Sequence, residues 1–174
     1  LTGHRYTRPG LYIEVTMIKK EQILILTGSR SDLPEIEKAT RILNGFGVPY
    51  RVQVASAHRT PDEVVRIVRQ STEESVKVVI AAAGLANHLA GAAASRTVCP
   101  VIGVPLARPP LQGLDSLLST VQMPPGVPVA TVGIGALENA AFLALQILAL
   151  SDPALRKKLV HRRLEMRSGL LKGK

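Results

Sequence analysis

Gln22-Ile23-Leu24-Ile25-Leu26-Thr27, running directly into Gly28-Ser29-Arg30-Ser31-Asp32-Leu33-Pro34, is the stretch on which the fold turns. Four consecutive aliphatic side chains without polar alternation suit a strand of a parallel sheet, where helices cover both faces. Gly28 ends the run and lets the backbone turn. Ser31 and Asp32 are helix-capping residue types, and Pro34 falls in the first turn of the next segment. Ile36, Ala39, Ile42, Leu43 and Phe46 then recur at helical spacing as far as Gly47. The unit is a strand, a short loop and a helix.

Outward from this unit the plan repeats. Tyr50–Ala55 reads as a second strand, and Thr60-Pro61-Asp62-Glu63 opens a helix carrying Val64, Val65, Ile67 and Val68. Val76–Ala83 is a third strand, Gly84–Thr97 is Ala-rich and helix-compatible, and Pro100–Leu106 is a fourth strand. Residues 107–126 hold six Pro or Gly and form a long connection around a short helix at Leu114–Val121. Pro128–Ile134 is a fifth strand and Glu138–Leu150 a strongly apolar helix. Asp152-Pro153 separates it from a basic amphipathic helix over Ala154–Met166. Strands alternating with helices predict an α/β fold: a three-layer α/β/α sandwich around a doubly wound parallel sheet with right-handed crossovers, flavodoxin-like or Rossmann-like, plus a C-terminal helical extension. With neither a repeat nor a linker, residues 17–174 read as one catalytic-size domain. Residues 1–16 read as an N-terminal extension, disordered or added in expression, with Met17 as the natural start.

A chain of 174 residues can bury roughly two-thirds of its unfolded surface. Aromatic residues are only 3% and Trp is absent, so Val, Ile, Leu and Ala must build the core, which favours close helix-on-sheet packing. Cys99 is the sole cysteine, which excludes an internal disulfide. No Cys/His cluster has metal-ligand spacing, so no metal is expected. No uncharged apolar run reaches about 18 residues, so no membrane association is expected and a cytoplasmic location is. The formal charge of +9 invites a nucleic-acid reading, but it is unevenly placed: residues 1–20 carry +3, residues 155–174 carry +7, and the rest nets −1. Basic tails bind polyanions weakly; the body has no aromatic platform, and no specific nucleic acid is expected as partner.

In doubly wound folds ligands bind outside the carboxyl ends of the strands. The first three strands end in Gly28-Ser29-Arg30-Ser31-Asp32, Ser56-Ala57-His58-Arg59 and Gly84-Leu85-Ala86-Asn87-His88, which are polar for so apolar a chain. Ser29 and Ser31 at a helix N-terminus suit an anion such as phosphate, and suit simple capping equally. His58 stands where neither packing nor capping requires an imidazole, the side chain that moves protons near neutral pH. A solvated loop histidine is the alternative. Arg59 can pair with phosphate through parallel hydrogen bonds. His88 reads as a structural histidine at a helix start, Asn87 as that helix's cap, and Cys99 as a small buried apolar residue. A Walker lysine is missing and Gly133-Ile134-Gly135 has Glu138 in place of a third glycine, so neither a nucleoside triphosphate nor a dinucleotide is suggested, and no cofactor is expected.

Taken together, several segments resemble the PurE proteins, which interconvert carboxylated aminoimidazole ribonucleotides. They are Gly28–Asp32, Ser56-Ala57-His58-Arg59-Thr60-Pro61, Ala83-Gly84 with His88-Leu89 and Gly91, Pro100–Pro105, Leu114-Asp115-Ser116-Leu117-Leu118-Ser119, Val121-Gln122-Met123-Pro124 and Asn139-Ala140-Ala141, spanning about residues 22–150. The resemblance implies that Ser29, Ser31 and Asp32 contact the nucleotide, with Asp32 accepting from ribose hydroxyls. It implies that Ser56 and Arg59 hold the 5′-phosphate and that His58 is the general acid/base. His88, Leu89 and the Ala83-Gly84 backbone would line the pocket around imidazole and carboxylate.

Two kinds of PurE exist. One moves a carboxylate from the exocyclic nitrogen to ring carbon C4; the other adds free CO2 to the unmodified nucleotide. Arg59, Pro61 and His88-Leu89 look like the first, the mutase of purine biosynthesis, with direct carboxylation or non-catalytic nucleotide binding as the alternatives. The resemblance further implies a homo-octamer, with the basic C-terminal helix packing on a neighbour, and functional coupling to an ATP-dependent N5-carboxyaminoimidazole ribonucleotide synthase. The chain departs from the usual Gly-Gly-Ala-Ala-His-Leu-Pro-Gly loop at Leu85, Asn87 and Ala90, and residues 135–139 look about two residues short. These departures bear on pocket shape.

Overall fold

The structure, a computed structural model, describes residues 20–171. The expected N-terminal extension over 1–16, the suggested start at Met17 and the last three residues lie outside the described residues. Five parallel strands, β1 (Ile23–Thr27), β2 (Tyr50–Val54), β3 (Val78–Gly84), β4 (Val101–Leu106) and β5 (Ala130–Thr131), form one sheet in the order β2-β1-β3-β4-β5. Its register sets Ile25 beside Val52 and Ile80, and Ala81 beside Gly103. The chain winds from β1 outward to β2, then crosses back over β1 to β3, so the crevice between β1 and β3 is the topological switch point. This is the doubly wound arrangement expected from the strand-helix alternation.

Alternate residues of the central strands β1, β3 and β4 feed two separate cores. Ile23, Ile25, Val78, Ile80, Ile102 and Val104 pack against α1 (Leu33–Phe46) and α5 (Leu137–Leu148). Leu24, Leu26, Val79 and Ala81 pack against α2 (Pro61–Glu74) and the short α3 (Leu89–Ala94) on the opposite face. The scarcity of aromatics has the expected result. Ala39 of α1 and Ala140, Ala141 and Ala144 of α5 are wholly buried, and small side chains let the helices lie close to sheet and neighbour.

The ends differ from expectation for identifiable reasons. The fifth strand keeps two residues of the expected seven. Val132 N–H still donates to Gly103 O (3.1 Å), but Pro105, two residues further along β4, has no N–H with which to return the next bond. Helix α3 takes six residues of the Ala-rich segment because residues 85–88 form a loop instead. Helix α4 (Leu114–Val121) has the expected bounds. The last helix, α6 (Pro153–Leu171), runs five residues beyond Met166 and is not amphipathic in the expected sense. At 100° per residue, Leu155, Leu159, Met166 and Leu170 fall on one side and Val160 and Leu164 on the other, with basic residues spread around both. Only Leu155 of these is buried. No helix among the described residues is long and apolar enough to cross a membrane.

Candidate active site

Every site residue singled out in the sequence lines one cavity of about 560 Å³ at the carboxyl ends of the strands. Ser29, Ser31 and Asp32 come from the end of β1, Ser56, His58 and Arg59 from the end of β2, and Ala83, Gly84, His88 and Leu89 from the end of β3. Three loops distant in sequence converge because the switch point leaves their ends open on one side.

The segment after β1 folds on itself. Ser29 Oγ accepts from Ser31 N (3.3 Å) and shares a 2.8 Å hydrogen bond with Ser31 Oγ, closing a single 3-10 turn at Arg30–Asp32. Asp32 stands at the cap of α1 but makes no capping bond. The residue is 4% exposed, and its carboxylate accepts from the buried Thr27 hydroxyl (2.9 Å), from Ser31 Oγ (3.4 Å) and from Arg108 Nη2 (2.7 Å).

The segment after β2 is braced by the first and fifth residues of its hexapeptide. Thr60 N–H donates to Ser56 O (2.9 Å), Ser56 N–H to Thr60 Oγ1 (2.9 Å), and Arg59 N–H to Ser56 Oγ (3.2 Å). Thr60 therefore holds this loop, and no side-chain cap bond forms at α2. The brace turns His58 toward the cavity and leaves Arg59 free to reach back over β1, where Nη2 donates to Gly28 O (3.0 Å).

The segment after β3 is held from outside. Asn87 is 1% exposed and does not cap α3: its N–H donates to Ser119 Oγ (2.9 Å) on α4 and its Nδ2 contacts Val104 O at 3.4 Å. Its Oδ1 is buried with no partner among the described residues. Leu85 has φ 57°, the left-handed region that side chains other than glycine avoid, and is 53% exposed at the cavity wall. His88 follows at the cap position of α3, exposed, with its Nδ1 2.8 Å from His58 Nε2 and the two rings meeting edge-on at 4.9 Å between centroids. His88 is thus a cavity residue, and the structural role expected from the residue pattern alone is not what it has. A hydrogen bond between two imidazole nitrogens requires one donor and one acceptor, so the pair shares a proton. Cys99, expected to be a buried apolar residue, is half-buried, and its Sγ lies 3.4 Å from Val76 O.

Sequence reasoning missed Arg108. It follows β4, lines the same cavity, and its Nη2 donates to Asp32 Oδ1 (2.7 Å) and forms an ion pair with Glu35 Oε1 (2.7 Å). Hydrogen bonding to Asp32, with Glu35 adding to it, holds its guanidinium even further toward the charged form than usual. The arginine crosses from β4 over β3 to reach β1. Gly84 makes room for it: a Cβ there would sit 2.5 Å from Arg108 Cγ. The signal available in the sequence was a charged residue directly after a strand in a Pro-rich connection.

The AIR carboxylase family model matches residues 22–169. Over 145 residues the chain is 57% identical to the N5-carboxyaminoimidazole ribonucleotide mutase of Methanocaldococcus jannaschii, covering 83% of this chain and 90% of that protein. Over 147 residues it is 52% identical to the protein of the same name from Pyrococcus horikoshii, with 83% of each chain covered. The crystal structure of Treponema denticola PurE superimposes with a TM-score of 0.80 at 27% identity, covering 87% of this chain and 95% of that one. With its switch-point cavity, its paired histidines and these matches across most of its length, the chain belongs to the AIR carboxylase family of enzymes, the PurE proteins.

Proposed function

We propose that this chain is a mutase of purine biosynthesis, converting N5-carboxyaminoimidazole ribonucleotide to 4-carboxy-5-aminoimidazole ribonucleotide. The observation that carries the reading is the His58–His88 pair, 2.8 Å apart at the cavity wall, beside the phosphate-suited Arg59 and the Ser29–Ser31 turn. The names of relatives about half identical in sequence support the same substrate.

In this reading Ser56 and Arg59 bind the 5′-phosphate, Ser29, Ser31 and Asp32 the rest of the ribotide, and Ala83, Gly84, His88 and Leu89 surround the imidazole and its carboxylate. His58 delivers a proton to the exocyclic nitrogen as the nitrogen–carboxylate bond breaks, leaving CO2 and the aminoimidazole. The cavity retains the CO2, so that recapture is intramolecular in effect. Carbon C4 attacks it, and His58 removes the C4 proton to restore the aromatic ring. One proton is given and one returned, as an isomerisation requires. His88, bonded to His58, orients its ring and shares that proton.

The test is His58→Asn with both nucleotides supplied. Binding should persist while turnover falls at least 10²-fold, the usual contribution of general acid/base catalysis. A loss within about tenfold would overturn the role of His58. Activity confined to the uncarboxylated nucleotide with added bicarbonate would overturn the mutase in favour of the carboxylase. The same reading includes a cytoplasmic homo-octamer working beside an ATP-dependent synthase. The half-exposed Leu114, Leu118 and Val121 of α4 and Val160 and Leu164 of α6 support association. A monomer by light scattering at micromolar concentration would contradict it.

A further inference from the structure

We propose that Arg108 is a positioning residue for ribose recognition: it holds the Asp32 carboxylate as an acceptor for the vicinal ribose hydroxyls, and so sets the preference for ribo- over deoxyribonucleotides. The inference rests on the nucleotide reading above and adds to it a residue that follows a different strand, β4. Asp32 is the acidic side chain of the cavity wall, almost fully buried, and its carboxylate makes no bond to the helix it precedes. Thr27 Oγ1 donates to Oδ2, and Arg108 Nη2 and, at a long 3.4 Å, Ser31 Oγ donate to Oδ1. A carboxylate has about four lone-pair sites, so an acceptor gripped in this way still has capacity on its cavity side.

The surroundings suit hydroxyls and disfavour an anion. Two carboxylates, Asp32 and Glu35, face one guanidinium, and the same Nη2 donates to the first and pairs ionically with the second. Arg108 is therefore committed to protein acceptors. What the cluster offers a ligand is acceptor oxygen, which a diol can satisfy and a phosphate or carboxylate cannot. Glu35 fixes the arginine from the first turn of α1, and Gly84 provides the slot through which its stem passes over β3, since any Cβ there would collide with Arg108 Cγ. Three strands thus contribute to one acceptor: β1 through Thr27, β3 through the absent Cβ of Gly84, and β4 through Arg108.

The experiment compares binding of aminoimidazole ribonucleotide and its 2′-deoxy counterpart by calorimetry, in the unaltered protein and in Arg108→Met, Arg108→Lys, Gly84→Ala and Glu35→Gln. The unaltered protein should prefer the ribonucleotide by about tenfold or more, the scale of one hydrogen bond to a charged acceptor. Arg108→Met should reduce that preference to less than about threefold, with Arg108→Lys between the two. Gly84→Ala should reproduce the loss by displacing the arginine with its charge intact, and Glu35→Gln should have the smallest effect. If Arg108→Met does not fold, Gly84→Ala and Arg108→Lys decide the matter. A merely structural role for Arg108 would weaken both ligands equally and leave the ratio unchanged, which would overturn the proposal. Failure of the unaltered protein to bind either nucleotide would overturn the nucleotide reading itself, and this inference with it.

Discussion

Between Thr27 and Leu33 most of the bonds that shape the loop are made within six residues, whereas between Gly84 and Leu89 the anchoring partners come from β4 and α4. The first junction closes through Ser29, Ser31, Asp32 and Thr27, with Arg59, on Gly28 O, and Arg108, on Asp32, as its distant side-chain contacts. The third depends on Ser119 for the Asn87 amide and on Val104 for its side chain, and it keeps Leu85 in a left-handed conformation and the side-chain oxygen of Asn87 without a partner among the described residues. Both junctions face the same cavity. A self-closed turn keeps its shape when its neighbours move, but a tethered loop transmits distant changes, and the tethered one carries His88.

The contrast can be broken most directly at Ser119. Ser119→Ala leaves the buried Asn87 N–H without an acceptor and should cost about 2 kcal/mol in urea denaturation. It should also lower turnover, because His88 is the next residue. A cost under about 0.5 kcal/mol would show that the tether is dispensable. Ser29→Ala removes only local bonds, those to Ser31 N and Ser31 Oγ, and should cost about 1 kcal/mol, the ordinary value of a capping residue. A greater loss than at Ser119 would invert the comparison. Asn87→Ala sharpens it further, since the 3.4 Å contact is weak and the orphaned oxygen is removed along with it. Stability should change by less than about 0.5 kcal/mol, and a loss above about 1 kcal/mol would mean that the amide is a real anchor.

The smallest effect lies at the opposite end of the sheet. Arg51 bridges Glu21 (3.3 Å) and Glu74 (3.2 Å). A hydrogen bond from its own backbone, and next the one from Arg51, hold the Glu21 carboxyl below the ordinary glutamate range. A carboxyl lowered on folding stabilises the folded state fully above its unfolded pKa, and that contribution disappears as pH falls through the folded value. Arg51→Gln should therefore reduce stability by a few tenths of a kcal/mol at pH 7, as exposed pairs do, and the difference from the unaltered protein should shrink below the glutamate range. A thermal melt series from pH 7 to 3 checks this. A difference that grew on acidification would contradict it.

Much of the site was legible because its residues follow strands. Once Gln22–Thr27, Tyr50–Ala55 and Val76–Ala83 are recognised as parallel strands, Ser29, His58 and Gly84 have to end at one edge. What stayed hidden were contacts across strands. Asn87 looked like a helix cap, and its partners are 17 and 32 residues away. Arg108 looked like part of a Pro-rich connection, and its partner Asp32 is 76 residues away. Pro105 gave no sign that it would end the pairing of β4 with β5, because a missing donor matters only once the neighbouring strand is known.

By itself the sequence determined the alternation of strand and helix, the aliphatic core without tryptophan, and the polar residues at the strand ends, because periodicity and local chemistry act within a few residues. The tertiary structure decided which histidine pairs with which, that Asp32 supports the cavity wall and does not cap α1, and that Gly84 is needed for Arg108. Each of these depends on side chains from different strands arriving within about 3 Å of one another, and hydrogen bonding falls off too steeply with distance for such a match to be read from spacing along the chain.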